Sequence, residues 1–147
     1  MKVKVAISPE ILEDLVTVEA RKLTSQISSL VEMIETFGRQ AERLTVKKGE
    51  EVHLLELSEI YRLYLENKIL QIETRDAVYQ SDLRLYQVKE ALSFDFLQVS
   101  QSEIINLKQL GHLKQTPNGL VKLVMKNGAG TYSSRRYLKV IKERLGL

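Results

Sequence analysis

The sequence predicts a mainly β protein of α+β class, an antiparallel-sheet domain preceded by a small strand–strand–helix module. Three observations carry this. Apolar residues alternate in short runs over most of the chain from Leu44 onward. The runs are separated by turn signals such as Lys-Lys-Gly-Glu, Pro117-Asn118-Gly119 and Asn127-Gly128. Helical three- and four-residue spacing is confined to a few places, the longest at residues 24–37 and 133–145.

Residues 2–7 alternate as a short strand and residues 13–20 as a second. From Thr24 the period changes, with Ile27, Leu30, Val31, Ile34 and Phe37 on one helical face. Thr24 or Ser25 caps this helix and Gly38 stops it. The unit is too small to be stable alone and must pack on the rest of the chain or on a second copy. The polar stretch 38–51 marks the boundary, giving units of 1–43 and 44–147.

In the second unit, 44–46 and 51–57 form a hairpin, and 59–67 and 68–74 form another closed at Glu66-Asn67. Residues 77–81 make a strand leading into a helix from Asp82 to Leu92, capped by Ser81, with Leu85, Val88, Lys89 and Leu92 inward. The stretch "DFLQVSQSEIINLKQL" (95–110) alternates on either side of Ser100-Gln101-Ser102, a turn or a polar contact surface. Two further strands flank Pro117-Asn118-Gly119. The last helix places Leu138, Ile141 and Leu145 on one face, with Ser133 or Ser134 as its cap and Gly146 as its stop.

The 147 residues, 44% hydrophobic, are enough for one domain with a real core. No apolar run approaches the roughly 20 residues that span a bilayer, and the N-terminus lacks a signal peptide's apolar core. Cysteine is absent, which excludes disulfides, thiolate chemistry and Cys-based zinc sites. A cytoplasmic protein is expected. His53 and His112 lie in separate strand patterns and read as structural or surface residues. Glu56, Glu59 and Glu66 read as a solvated face. With no nucleotide loop or nucleophile motif, neither catalysis, metal, cofactor nor small-molecule substrate is expected.

Charge is distributed unevenly. The net charge is +3, but residues 1–50 carry 0, 51–95 carry −4 and 96–147 carry +7. A basic last third is either a solubilising face or a footprint for a polyanion. Arg135 and Arg136 lie in the first turn of the last helix, with Lys139 and Lys142 following. Cations there oppose the helix dipole, whereas a phosphate would be held by both the free N–H groups and the guanidinium groups. Gln101 suits an adenine edge and serine a phosphate.

Three ordered motifs carry a family resemblance over residues 44–147: "VYQSDLRLYQVKEAL", "FLQVSQSEIINLKQL" and "KNGAGTYSSRRYLKVIK". Together they resemble the LytTR family of DNA-binding domains, mainly antiparallel β modules of bacterial transcription regulators. The layout is most similar to stand-alone members that carry a strand–strand–helix extension in place of a receiver domain. The resemblance implies sequence-specific binding of double-stranded DNA through loops in the major groove; bending of the DNA is expected with it, and a dimer on repeated sites is expected because one small module buries too little surface for tight, specific binding. It implies base contacts at Asn67, Gln101 and Arg136 and phosphate contacts at Lys68, Ser102, Ser134, Arg135 and Lys139. Asn106 is expected to satisfy backbone groups at a tight bend, and the 24–37 helix is a candidate dimer contact. A small inhibitory membrane protein is a partner implied by resemblance alone. Gln101 and Asp82 depart from the family pattern, each standing where a basic residue is usual. The rival expectation is a protein-interaction module that keeps the fold with weak or no specific DNA binding.

Overall fold

The structure is a computed structural model that describes residues 1–37 and 43–147. Its elements in chain order are α1 (Ser25–Phe37), β1 (Arg43–Lys48), β2 (Glu51–Glu56), β3 (Arg62–Glu66), β4 (Ile69–Glu73), β5 (Val78–Ser81), α2 (Leu85–Ala91), β6 (Phe96–Ser100), β7 (Glu103–Asn106), β8 (Leu110–Gln115), β9 (Val121–Met125), β10 (Gly130–Tyr132) and α3 (Arg135–Leu145). The strands form a seven-stranded sheet, ordered β2-β1-β5-β4-β3-β7-β6, and a three-stranded sheet, ordered β10-β9-β8. Every pairing is antiparallel. The mainly β expectation therefore holds.

Two cores lie on opposite faces of the large sheet. One face packs Leu63, Leu70, Ile72 and Ile104 against Leu85, Val88 and Leu92 of the α2 region. The other packs Leu97, Val99 and Ile105 against Val121, Leu123 and Met125 of the small sheet and Ile141 of α3. Strand β7 serves both: successive side chains point to opposite faces, so Ile104 enters the first core and Ile105 the second. All four of its residues are buried, which explains two adjacent isoleucines where a one-sided strand would alternate.

A buried ionic cluster crosses the second face. Arg62 on β3 grips Glu73 on β4 with two hydrogen bonds, Nε to Oε2 at 2.7 Å and Nη2 to Oε1 at 3.0 Å. Its Nη1 donates to Glu103 of β7 at 2.9 Å. Burial works against the charge of Arg62, but the Glu73 hydrogen bond and the two carboxylates raise its pKa on balance. Asn127, in the β9–β10 turn, donates to the Thr74 carbonyl at 3.3 Å, tying the small sheet to the end of β4.

Several local expectations need correction. The strands expected at 2–7 and 13–20 are absent: residues 1–24 contain neither helix nor strand. A lone two-stranded hairpin is marginal in water. The helix expected from Asp82 begins at Leu85, because the Ser81 hydroxyl accepts from Leu83 N (3.1 Å) in a local turn. Arg84 takes the cap position, its N–H bonded to Gln87 at 2.9 Å. Lys89, expected inward, is exposed and donates to Gln98 at 2.9 Å. Helix α1 matches its expected range, and the Thr24 hydroxyl accepts from Ile27 N at 3.2 Å. None of its residues is fully buried. Gly38 and the part of the expected boundary up to residue 42 lie outside the described residues.

Two outcomes follow for these buried polar groups. Asn106 is 2% exposed, donates to the Ile60 carbonyl at 2.9 Å and accepts from Lys108 N at 3.0 Å. Asn106→Ala strands both partners, and denaturant melts should show a loss of about 1–3 kcal/mol; an unchanged midpoint would remove Asn106 from the fold's essential contacts. Burial raises the Glu103 pKa against the pull of Arg62, so the folded protein holds this proton more tightly than the unfolded chain. That contribution to stability is complete below the unfolded-state pKa and is lost as pH rises through the folded-state pKa. Glu103→Gln should therefore gain on the wild type as pH climbs through that window, whereas a pH-independent difference between the two would contradict the assignment.

Candidate nucleic-acid interface

The β3–β4 hairpin pairs Glu66 with Ile69 and leaves Asn67 and Lys68 as its two turn residues. Both have positive φ, 52° and 66°, the pattern of the type I′ turn that matches strand twist. Asparagine tolerates this conformation; lysine does so at a cost of about 1–2 kcal/mol. Both side chains are exposed.

The β6–β7 connection is similarly tight. Ser100 pairs with Glu103 after a register shift, so Gln101 and Ser102 form an exposed tip. The Ser100 hydroxyl accepts from Ser102 N at 3.3 Å. The Ser102 carbonyl accepts from Leu65 N at 3.0 Å, bonding this tip to the neighbouring hairpin.

The N-terminus of α3 is fixed beside them. Ser134 N donates to the Val99 carbonyl at 3.0 Å. Ser133, 1% exposed, accepts from Val121 N through its hydroxyl at 3.2 Å and donates from its own N–H to the Val121 carbonyl at 2.9 Å. Ser134 holds the cap position without a side-chain cap bond, and the first turn of α3 has no acidic residue. Arg135, Arg136 and Lys139 are exposed, with Arg136 extending over the Tyr137 ring at 5.9 Å. The two backbone bonds, Leu65–Ser102 and Ser134–Val99, thus place the two turns and the start of α3 side by side, and with Lys139 one turn further along α3 these segments carry the eight expected site residues. Seven are exposed and Ser134 is half-buried.

The structure also brings in residues that sequence reasoning missed. A groove of about 970 Å³ opens beside Lys68 and Gln101, with Lys47, Arg84, Lys89 and Gln98 on its walls. Lys47 and Arg84 are exposed cations from the neutral and acidic parts of the chain, where regional net charge hid them. Asp82, on the same groove, forms an ion pair with Lys47, so one carboxylate offsets one of the four cations lining it. Not all of the basic last third faces this end. Arg144 stacks on Phe94 at 3.8 Å, and burial lowers its pKa against the charges of Glu32 and Asp95. Lys108 pairs with Asp95 at 3.3 Å.

Comparison with known proteins bears on the family and the fold. The family model described as the LytTr DNA-binding domain matches residues 50–146. An uncharacterized HTH-type transcriptional regulator of Staphylococcus aureus strain bovine RF122 / ET3-1 is 31% identical, over 100% of this chain and 99% of that protein. A counterpart of the same description in strain MRSA252 is 30% identical over the same shares. Among solved structures, a LytTr DNA-binding domain from Bacillus cereus superposes with a TM-score of 0.69 at 18% identity, covering 73% of this chain and 99% of that one.

The strained turn is directly testable. Lys68→Gly should stabilise the protein by about 0.5–1 kcal/mol, the left-handed penalty less the entropy glycine adds to the unfolded chain. A destabilised variant would mean that packing of the lysine stem outweighs its backbone strain.

Proposed function

We propose, from the premise that this chain belongs to the LytTR family of DNA-binding domains, that it is a transcription regulator reading duplex DNA with the three clustered tips. The single observation that carries this is the pair of backbone bonds that gathers the β3–β4 turn, the β6–β7 turn and the start of α3 at one end. No ordinary requirement of folding asks for a lysine in the left-handed region beside two arginines at a helix N-terminus. The arginines oppose the helix dipole in the free protein and become favourable once an anion is present, and a strained residue at an exposed tip is the kind of cost that functional sites retain.

In this reading Asn67, Gln101 and Arg136 reach base edges in the major groove. Asparagine and glutamine each present a donor and an acceptor to adenine, and arginine forks onto guanine. Lys68, Ser102, Ser134, Arg135 and Lys139 hold phosphates, the α3 N-terminus adding its free N–H groups. The relatives are described as HTH-type, but the three described helices here are separated by five strands each. Recognition would therefore come from loop tips and one helix end, without a helix-turn-helix pair. One such module covers little surface, so two copies on repeated half-sites, with bending of the DNA, complete the proposal. The division at residues 43–44, a cytoplasmic location and restraint by a small membrane protein belong to the same proposal.

Selection from a random duplex library, followed by anisotropy titrations at several salt concentrations, tests it. A motif with repeated half-sites should emerge. Arg136→Ala should lose roughly 5–150-fold in affinity and relax preference at one position, while Lys139→Ala should weaken all sequences alike and lower the salt slope by about one. If no motif emerges and Arg136→Ala binds like wild type, the DNA-reading proposal fails in favour of the protein-interaction module.

A further inference from the structure

The N-terminal segment is the part of the molecule whose sequence pattern and structure disagree most sharply. Residues 2–7 carry Val3, Val5 and Ile7 on one strand face and Lys2 and Lys4 on the other. Residues 13–20 carry Val16, Val18 and Ala20 on one face and Glu13, Thr17 and Glu19 on the other, with Asp14 and Leu15 out of pattern. Each run is a half-buried strand by its alternation. Yet neither forms a strand, and Val3, Val5, Ile7 and Val16 are 65–91% exposed.

The two runs do not pair with each other in the structure, and both keep open edges. Residues 8–12 connect them, with Ile11 N donating to the Ser8 carbonyl at 3.3 Å across Pro9 and Glu10. The charges show what can fill those edges. Pairing like runs from two chains sets Lys2 and Lys4 against lysines, or Glu13 and Glu19 against glutamates, which is unfavourable directly across a sheet. Pairing unlike runs aligns the apolar faces and sets lysine beside glutamate. A two-fold partner satisfies all four runs at once, because each chain brings one basic and one acidic run.

We propose that residues 2–7 and 13–20 become strands only between two copies of this chain, the basic run of each lying antiparallel to the acidic run of the other. This deepens the two-copy reading above and rests on it. The joint sheet buries the valine faces that a single chain leaves in water. Helix α1, with Ile27, Leu30, Val31 and Ile34 only half-buried, supplies an apolar face for that sheet to cover.

Sedimentation of the full chain without DNA provides the test, using K2E/K4E and E13K/E19K variants alone and mixed. Wild type should be dimeric. Each variant alone should associate roughly tenfold or more weakly, since both of its interfaces bring like charges together. An equimolar mixture should recover association to within about threefold, since every altered run then meets an oppositely altered one. The altered residues are exposed and outside both sheets, and thermal melts should confirm an unchanged domain. A monomeric wild type, variants that dimerise normally, or a mixture that stays dissociated overturns the proposal; the last result is what pairing within one chain or docking on β2 would give. Because no DNA is present, failure here leaves the DNA-reading proposal standing, and failure to select a DNA motif leaves this one standing.

Discussion

Strand β7 bears the central constraint of this fold. Its two isoleucines point in opposite directions, Ile104 toward α2 and Ile105 toward the small sheet. Only a strand with cover on both faces can bury both, so each core depends on the other layer being in place. The same strand carries Glu103 into the ionic cluster with Arg62 and Glu73. A buried cluster of this kind adds little net stability, because desolvating three charges offsets most of their attraction. Its effect is on geometry: any slip of β3, β4 or β7 by one residue would leave a charge buried without its partner.

That constraint continues into the functional end. The tip of β6–β7 is one turn from β7, and its carbonyl bonds the β3–β4 hairpin. The residue just before that tip region, Val99, is buried in the second core and also accepts from the start of α3. The three tips are therefore held by backbone bonds that the two cores fix, while the side chains they present remain in solvent. Such an arrangement concentrates strain and unfavourable charge where the scaffold is most rigid. Lys68 in the left-handed region and two arginines at a helix N-terminus are tolerated because the surrounding bonds leave the chain no other path. Asp82 acts in the other direction: by pairing with Lys47 it lowers the positive potential of the groove and weakens nonspecific attraction to a polyanion.

What was legible in the sequence was what neighbouring residues encode. The alternation around Ser100-Gln101-Ser102, the glycine turns and the helical period of α3 each placed an element within a few residues of its position. The three site motifs were legible too, because each lies on one local turn or helix start. The Arg62–Glu73–Glu103 cluster was not, since its members are separated by 11 and 41 residues and only sheet order brings them together. The same holds for Lys47 on β1 and for Arg84 and Lys89 at the start and end of α2, which meet on one groove across more than 35 residues of sequence. At Ser81 two local rules competed, and the short turn to Leu83 won over the helix cap. At residues 2–20 the alternation predicted two strands that the structure does not form, because a strand needs a neighbour and sequence period does not supply one.

That last distinction links the two halves of the molecule. In the proposed mode of reading, a module of this size would make few base contacts, and the electrostatic part of its affinity would fall steeply with salt. Joining two readers converts the second binding event into an intramolecular one, which can raise affinity by factors of about 10²–10⁴ without any new contact to DNA. If the joint is a sheet formed only between copies, occupancy of a repeated site depends on protein concentration through the arms as well as through the tips. Regulation would need only to change the association of the N-terminal runs, leaving β7, the cores and the three clustered tips unchanged.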